Sequence, residues 1–380
     1  MLFPSLRGAL RGLALAPLLG AALVAGGAHA GVSSLSNLFV FGDSLSDNGN
    51  SKAISNTAVG STFPPAPYSG GRFSNGDVAV EYLWRAFNPS AGALKASLAG
   101  GTNFAIGGAT SGTQNFIQVW SSTPAALKSF YEGKGNAWQL DEFKTPAPRS
   151  FDPETSLFVV WLFPNDAFWA GATSGTSVGS FDRNLPPSNL DLTGLAVYNI
   201  KGTIEQLAGY GAKNFLVPNS PNLGLIPEFN TDPIRSQSFS DLSLAFNSQL
   251  ATQLNSLRSS RPDLDITAFQ IDDLLAEVNA NPGAFGFSNT SDRCLTNLSC
   301  VTGDAAAQST YLFWDGSHPT TAAHALIGQR FYQAVYEPVP GSLPAAGAAA
   351  GLAWSRRLRL RLKLRPQKTT RNCADRCPAD

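Results

Sequence analysis

The chain has 380 residues, 43% of them hydrophobic and 14% charged, with 27 Lys/Arg against 27 Asp/Glu. That length and balance suit one large α/β domain or two smaller ones, and they exclude a disordered chain or a set of membrane spans. Nine of the Lys/Arg fall in the last 26 residues and two in the first 30, so the body between them holds 16 basic and 25 acidic residues; an acidic body without a basic stripe argues against a nucleic-acid partner.

Residues 1–30 read as a secretory signal peptide. Arg7 and Arg11 supply the positive region, Leu13–Gly27 the apolar run, and Ala28-His29-Ala30 a small-x-small cleavage site. Export to the periplasm, cell surface or medium is therefore expected. It fits Cys294 and Cys300, which share one polar loop and are able to close a small disulfide in an oxidising compartment. For Cys373 and Cys377, in the basic tail, pairing, metal binding and neither all stay open. With only His318 and His324 left after cleavage, no Cys/His zinc site is expected.

Asn37–Phe41 (NLFVF) is a short apolar run ending in Gly42-Asp43-Ser44, which predicts a buried strand running into a turn. Asp77–Phe87 has helical spacing. Thr102–Ile106 and Ser156–Leu162 read as the second and third strands, Leu195–Gly211 as a helix and Asn214–Pro218 as a strand. Ser238–Leu257 reads as a helix, Leu264–Phe269 as a strand, and Thr320–Tyr336 as an amphipathic helix. This alternation predicts a three-layer α/β/α domain over residues 31–338, with a mostly parallel sheet of about five strands. Such sheets bind ligands at the carboxyl ends of their strands, so function is expected just after Phe41, Ile106, Leu162 and Pro218.

Beyond the domain, residues 339–380 hold a small-residue apolar stretch, Ser342–Trp354, and then the arginine cluster. The stretch is shorter than the roughly 20 residues a comfortable span needs.

Two serines compete for the role of nucleophile. Gly175-Thr176-Ser177-Val178-Gly179 matches the G-x-S-x-G string, but its flanks are polar and lack the strand and helix that motif requires. Ser44 follows a strand, and Gly42 with the polar run after it allows a tight turn that presents the hydroxyl. A serine nucleophile needs a base, and the base needs an orienting group. His318 has Asp315 three residues earlier, and Pro319 suits the first position of the next helix. Asp315 then accepts from Nδ1 and leaves Nε2 to face the serine. The plainer readings are a turn serine at Ser44 and a helix cap at Asp315. His324, inside the helix, reads as a packed or surface histidine.

Four ordered segments resemble the signature blocks of the GDSL (SGNH) hydrolases, plant-type lipase-like branch. They are Phe41-Gly42-Asp43-Ser44-Leu45-Ser46-Asp47, Gly101–Thr110 (GTNFAIGGAT), Asn165-Asp166, and Asp315-Gly316-Ser317-His318-Pro319. Gly71–Gly76 (GRFSNG) and Asn214–Pro218 are also similar to that branch. The resemblance runs from about Leu38 to Tyr336. It implies the flavodoxin-like SGNH fold, ester hydrolysis without a metal or organic cofactor, and an oxyanion hole from the N–H groups of Ser44 and Gly108 plus the Asn165 amide, Gly107 being the other choice for the glycine. Preorganised donors of this kind stabilise the transition state by roughly 3–4 kcal/mol each. One departure stands out: the family's Gly-x-Asn-Asp is Phe163-Pro164-Asn165-Asp166 here. Pro164 predicts an extended Phe163. Asp166 reads as structural, bonded to nearby turns. The tail loosely resembles a PEP-CTERM sorting signal, with Val-Pro-Gly in place of Val-Pro-Glu-Pro, which implies association with a membrane or the cell surface; a plain basic tail is the alternative.

Apolar residues near these positions are expected to form an acyl pocket for lipid or other apolar esters. They are Phe163, Phe168, Trp169, Phe313 and Trp314, with Leu223, Leu225 and Ile226 after the fourth strand. Of these, Phe163 and Trp314 are the expected substrate-binding residues. The resemblance also implies an alternative, a carbohydrate O-deacetylase or lysophospholipase of the same fold. A non-catalytic exported binding domain is the competing class, although such a module has no use for Ser44, Asp315 and His318 together.

Overall fold

A computed structural model of the chain describes residues 34–145, 149–175, 177–179 and 190–336. The expected signal peptide and the tail at 339–380, with Cys373 and Cys377, lie outside the described residues.

Four strands, β1 (Asn37–Gly42), β2 (Ser156–Trp161), β3 (Asn214–Pro218) and β4 (Asp265–Phe269), form one parallel sheet in the order β1-β2-β3-β4. β2 is buried at all six positions and β1 at five, the continuous apolar pattern of strands covered on both faces. Helices α1 (Asn50–Val59), α2 (Ala79–Phe87), α3 (Ala125–Lys128) and α4 (Asn136–Lys144) precede β2, and α5 (Pro164–Ala172) and α6 (Leu192–Gly209) precede β3. α7 (Pro233–Ser260) and α8 (Ile271–Ala280) flank β4. A second, two-stranded sheet pairs β5 (Asn289–Arg293) with β6 (Tyr311–Phe313), around the short helices α9 (Leu298–Val301) and α10 (Ala305–Ser309). α11 (Thr321–Tyr336) closes the described chain.

Aromatic packing gives the three layers. On one face Phe39, Phe41 and Phe158 meet Phe143 of α4 at ring distances of 5.6, 5.9 and 6.3 Å. On the other, Trp161 and Phe269 meet Phe331 of α11 at 5.4 and 4.8 Å. The period of two along each strand sends alternate residues to opposite layers.

Thr102–Ile106, expected as a strand, is not a full one. It runs along the free edge of β1, where Val40 and Phe104 exchange backbone bonds with Thr102 and Val40 and a bridge joins Val40 to Asn103. Its other backbone groups go elsewhere: the Asn50 amide takes the carbonyls of Asn103 and Ala105, and Ser97 N–H takes Asn103 again. Counting that segment, the order is the 2-1-3-4-5 of flavodoxin-like sheets, and the switch point falls at the end of β1. α7 starts five residues before the expected Ser238, because Asp232 caps it through the N–H groups of Ile234 and Arg235 and Pro233 occupies its first turn.

Candidate active site

The carboxyl end of β1 carries a rigid turn. Gln139 of α4 reaches across to Gly42, accepting its N–H at 2.8 Å and donating to its carbonyl at 2.7 Å. The Asp43 carbonyl accepts from Ser46 and Asp47, and Asp43 Oδ1 accepts Leu45 N–H at 2.9 Å. Asp47 then ties three pieces together: Oδ1 takes the N–H groups of Gly49 and Asn50, and Oδ2 takes those of Ser51 and Gly107. Ser44 sits at the top of this turn with only 8% of its surface exposed.

The loop after β6 brings His318 to Ser44. Trp314 N–H donates to the His318 carbonyl at 2.7 Å and closes the loop on itself. Ser44 Oγ lies 2.8 Å from His318 Nε2, and His318 Nδ1 lies 2.7 and 2.9 Å from Asp315 Oδ2 and Oδ1. In the tautomer that lets Nε2 accept from the serine, Nδ1–H donates to the carboxylate. Asp315 Oδ1 also accepts the N–H groups of Ser317 and His318, and Tyr68 donates its hydroxyl to Oδ2 at 2.6 Å. Burial works to raise the Asp315 pKa, but His318 and these donors outweigh it and hold the carboxyl below its ordinary range. For His318 burial favours the neutral ring, yet Asp315 and then Asp43 raise its pKa above the ordinary value.

Pro319 does not open α11 as expected. The helix begins two residues later, at Thr321, with the Thr320 hydroxyl over Ala323 N–H, because Pro319 is held in a bridge with Phe313. His324 is buried, accepts Ala79 N–H at 3.3 Å and is driven down to about 3 by burial, so it links α11 to α2 as a neutral ring.

The segment Gly71–Gly76 clamps the histidine loop from outside. The Phe73 ring lies 5.2 Å from the imidazole, Ser74 donates to the Pro319 carbonyl, and Asn75 accepts Thr321 N–H. Arg72 makes a bidentate pair with Glu81 of α2 at 2.7 Å.

Gly108 has φ +76°, and a Cβ there would run into Asn115 Oδ1, so the position demands glycine. The N–H of Gly107 is taken by Asp47 and Ser51; among the described residues those of Ser44 and Gly108 have no acceptor. Asn165 follows β2 and donates one amide hydrogen to Asp43 Oδ2 at 3.1 Å. Burial pushes Asp43 up to about 6 and Asp166 up to about 7; Asp166 accepts both the N–H and the hydroxyl of Ser111.

Phe163 is not extended. It has φ +130° and ψ −39°, a backbone that suits the glycine of the family pattern, and its ring stacks on Phe246 at 3.8 Å. Ser177 lies in an exposed loop, where its hydroxyl accepts Gly179 N–H.

Ser44, Gly108, Asn165, Asp315 and His318 all line one cavity of about 850 Å³. Aromatic rings of Phe116, Trp120, Phe168 and Phe229 line it, as do Leu223, Ile226 and Phe313. Phe163 and Trp314, expected to bind substrate, are outside that lining. Both are fully buried, Phe163 against Phe246 and Trp314 beside Tyr68 and the Cys294–Cys300 disulfide. Trp169 packs with Val178 and Leu195, and Leu225 lies in a separate groove beside α7. Each is a side chain whose direction depends on how its loop leaves the strand. Nothing local in the sequence marks Tyr68 or Gln139 as the partner of a residue 247 or 97 positions away.

A buried serine beside a part-buried histidine and carboxylate at the switch point of a parallel α/β sheet, on the wall of an apolar cavity, is the arrangement of a serine hydrolase. The sequence profile of the GDSL-like Lipase/Acylhydrolase family matches residues 38–331, and the chain belongs to that family. Two relatives from Arabidopsis thaliana are similar over most of their length. GDSL esterase/lipase EXL2 is 27% identical, with 78% of this chain and 87% of the relative covered. GDSL esterase/lipase At5g22810 is 25% identical, with 76% and 86% covered.

Proposed function

We propose that the chain is an exported esterase or lipase that cleaves lipid or other apolar esters through an acyl-enzyme on Ser44. The observation that carries the reading is the bond between Ser44 Oγ and His318 Nε2, 2.8 Å long, on the floor of the apolar cavity. His318 takes the Ser44 proton as Oγ attacks the ester carbonyl, and the former carbonyl oxygen becomes an anion between the N–H groups of Ser44 and Gly108 and the Asn165 amide. His318 then gives the proton to the departing alcohol. In deacylation His318 takes a proton from water as its oxygen bonds to the acyl carbon, the acyl bond to Oγ breaks, and His318 returns that proton to Ser44 as the acid leaves. Asp315 keeps the imidazole in the required tautomer and stabilises it when charged. Trp120 and the phenylalanines of the wall support an apolar acyl group, since such surface gains most from excluding water. Export fits the Cys294–Cys300 disulfide, a bond that persists in oxidising compartments.

The test is hydrolysis of p-nitrophenyl butyrate by the wild type, Ser44→Ala and Ser177→Ala. Turnover lost only in Ser44→Ala is the expected outcome. Equal activity of wild type and Ser44→Ala, or an inert wild type, sinks the reading.

A further inference from the structure

Phe163 holds a conformation that L side chains avoid, φ +130° with ψ −39°, and Pro164 penalises that ψ a second time. Such a backbone persists only where its surroundings over-determine it. Here the constraint is a ring stack: Phe163 and Phe246 of α7 lie 3.8 Å apart with 5° between their planes, and both are buried. The consequence reaches the catalytic cavity through the backbone. The Phe163 carbonyl accepts the N–H groups of Asp166 and Ala167 at 2.9 and 3.3 Å, so it starts the first turn of α5. Asn165 is the second residue of that turn and lines the cavity, while neither Phe163 nor Phe246 does.

We propose that the Phe163–Phe246 stack is the device that positions the Asn165 amide as an oxyanion donor, acting through the first turn of α5. The inference rests on the hydrolase reading above. With one amide hydrogen fixed on Asp43 Oδ2, the second is aimed only as well as the turn that carries Asn165 is held. Removing the Phe246 ring lets Phe163 relax out of its positive φ and takes the turn with it. A glycine at 163 accepts the same φ without a ring to hold it.

The experiment is steady-state hydrolysis of p-nitrophenyl butyrate by the full chain, with thermal unfolding followed by circular dichroism. Phe246→Leu, which keeps most of the volume but not the stack, and Phe246→Ala are both expected to lower kcat about tenfold or more, with KM within about twofold. The double variant Phe163→Gly/Phe246→Ala is expected to recover several-fold over Phe246→Ala. Because Asn165→Ala already lacks the donor, adding Phe246→Leu to it should cost less than about twofold, the non-additivity of two changes acting through one group. Wild-type kcat in folded Phe246→Leu, independent multiplication of its effect with Asn165→Ala, or no rescue by glycine overturns the inference. An inert wild type removes the hydrolase reading and this inference with it; an active wild type beside an unimpaired Phe246→Leu removes the inference alone.

Discussion

Asp315 serves four donors with two oxygens. Oδ1 accepts the N–H groups of Ser317 and His318, and Oδ2 accepts the Tyr68 hydroxyl and lies nearest His318 Nδ1. The carboxylate is thereby kept ionised in a part-buried place, and its charge is the main force raising the His318 pKa against the opposing effect of desolvation. The sign of the pH dependence follows. In the proposed mechanism only the neutral imidazole accepts the Ser44 proton, so kcat/KM is expected to rise as pH climbs through the His318 pKa, with a midpoint above the ordinary 6.5. Asp315→Asn removes the raising charge, so the acid limb is expected to move to lower pH while kcat falls by about 10³–10⁴-fold. A pH–rate profile measured on both proteins checks this. An unmoved limb would assign the titration to a group other than His318.

At the scale of elements, the turn that carries Ser44 is held by pieces far away in sequence. α4 supplies Gln139, whose amide replaces the missing neighbour strand at the end of β1 by bonding both backbone groups of Gly42. Gly42 N–H has no other acceptor among the described residues, while its carbonyl is also approached by Ile106 N–H at 3.3 Å. Gln139→Leu keeps the side-chain volume but leaves that N–H buried and unpaired, an expected loss of about 1–3 kcal/mol of stability. Ser44 lies two residues on, so kcat is expected to fall as well. Urea denaturation reads the first effect; a change under about 0.5 kcal/mol would mean that the clamp adds little to the fold. Asp47 works similarly between elements, joining the nucleophile turn, the start of α1 and Gly107 with one carboxylate.

For the whole molecule, the sheet order decides where the pieces meet. The edge segment at 102–106 leaves β1 on one side and β2 pairs with it on the other, so Gly108 and Asn165 approach Ser44 from opposite flanks. The cavity above them, about 850 Å³ in volume and lined largely by rings and aliphatic side chains, implies a preference that grows with acyl length. Burying a methylene is worth about 0.8 kcal/mol, so kcat/KM for p-nitrophenyl esters is expected to climb by up to about fourfold per added methylene until the cavity is full. A profile that is flat or falls from acetate onward would point to a polar acyl group in its place.

The candidate site is made of groups that are local in sequence, and their positions at strand ends were legible there. Continuous apolar runs, glycines at tight turns and an Asp three residues before a His are short-range patterns, and β1, β2 and β3 follow the first of them closely. Ser44, Gly108, Asn165 and His318 each stand just after a segment placed in this way. What failed was direction. Phe163 and Trp314 are apolar and adjacent to the site, but their rings point into packed layers, against Phe246 and beside the Cys294–Cys300 disulfide. Pro164 favours an extended Phe163, yet Phe163 has φ +130° and stacks on a residue 83 positions away. Thr102–Ile106 has the composition of a strand, yet side chains of Asn50 and backbone groups near Ser97 take over its bonds. The sequence by itself determined the strand ends that carry the candidate site residues, since those depend on neighbours within a few residues. Only the tertiary structure decided which side chains hold them there and which walls the substrate meets, because burial and hydrogen-bond pairing are settled between residues that the chain alone keeps far apart.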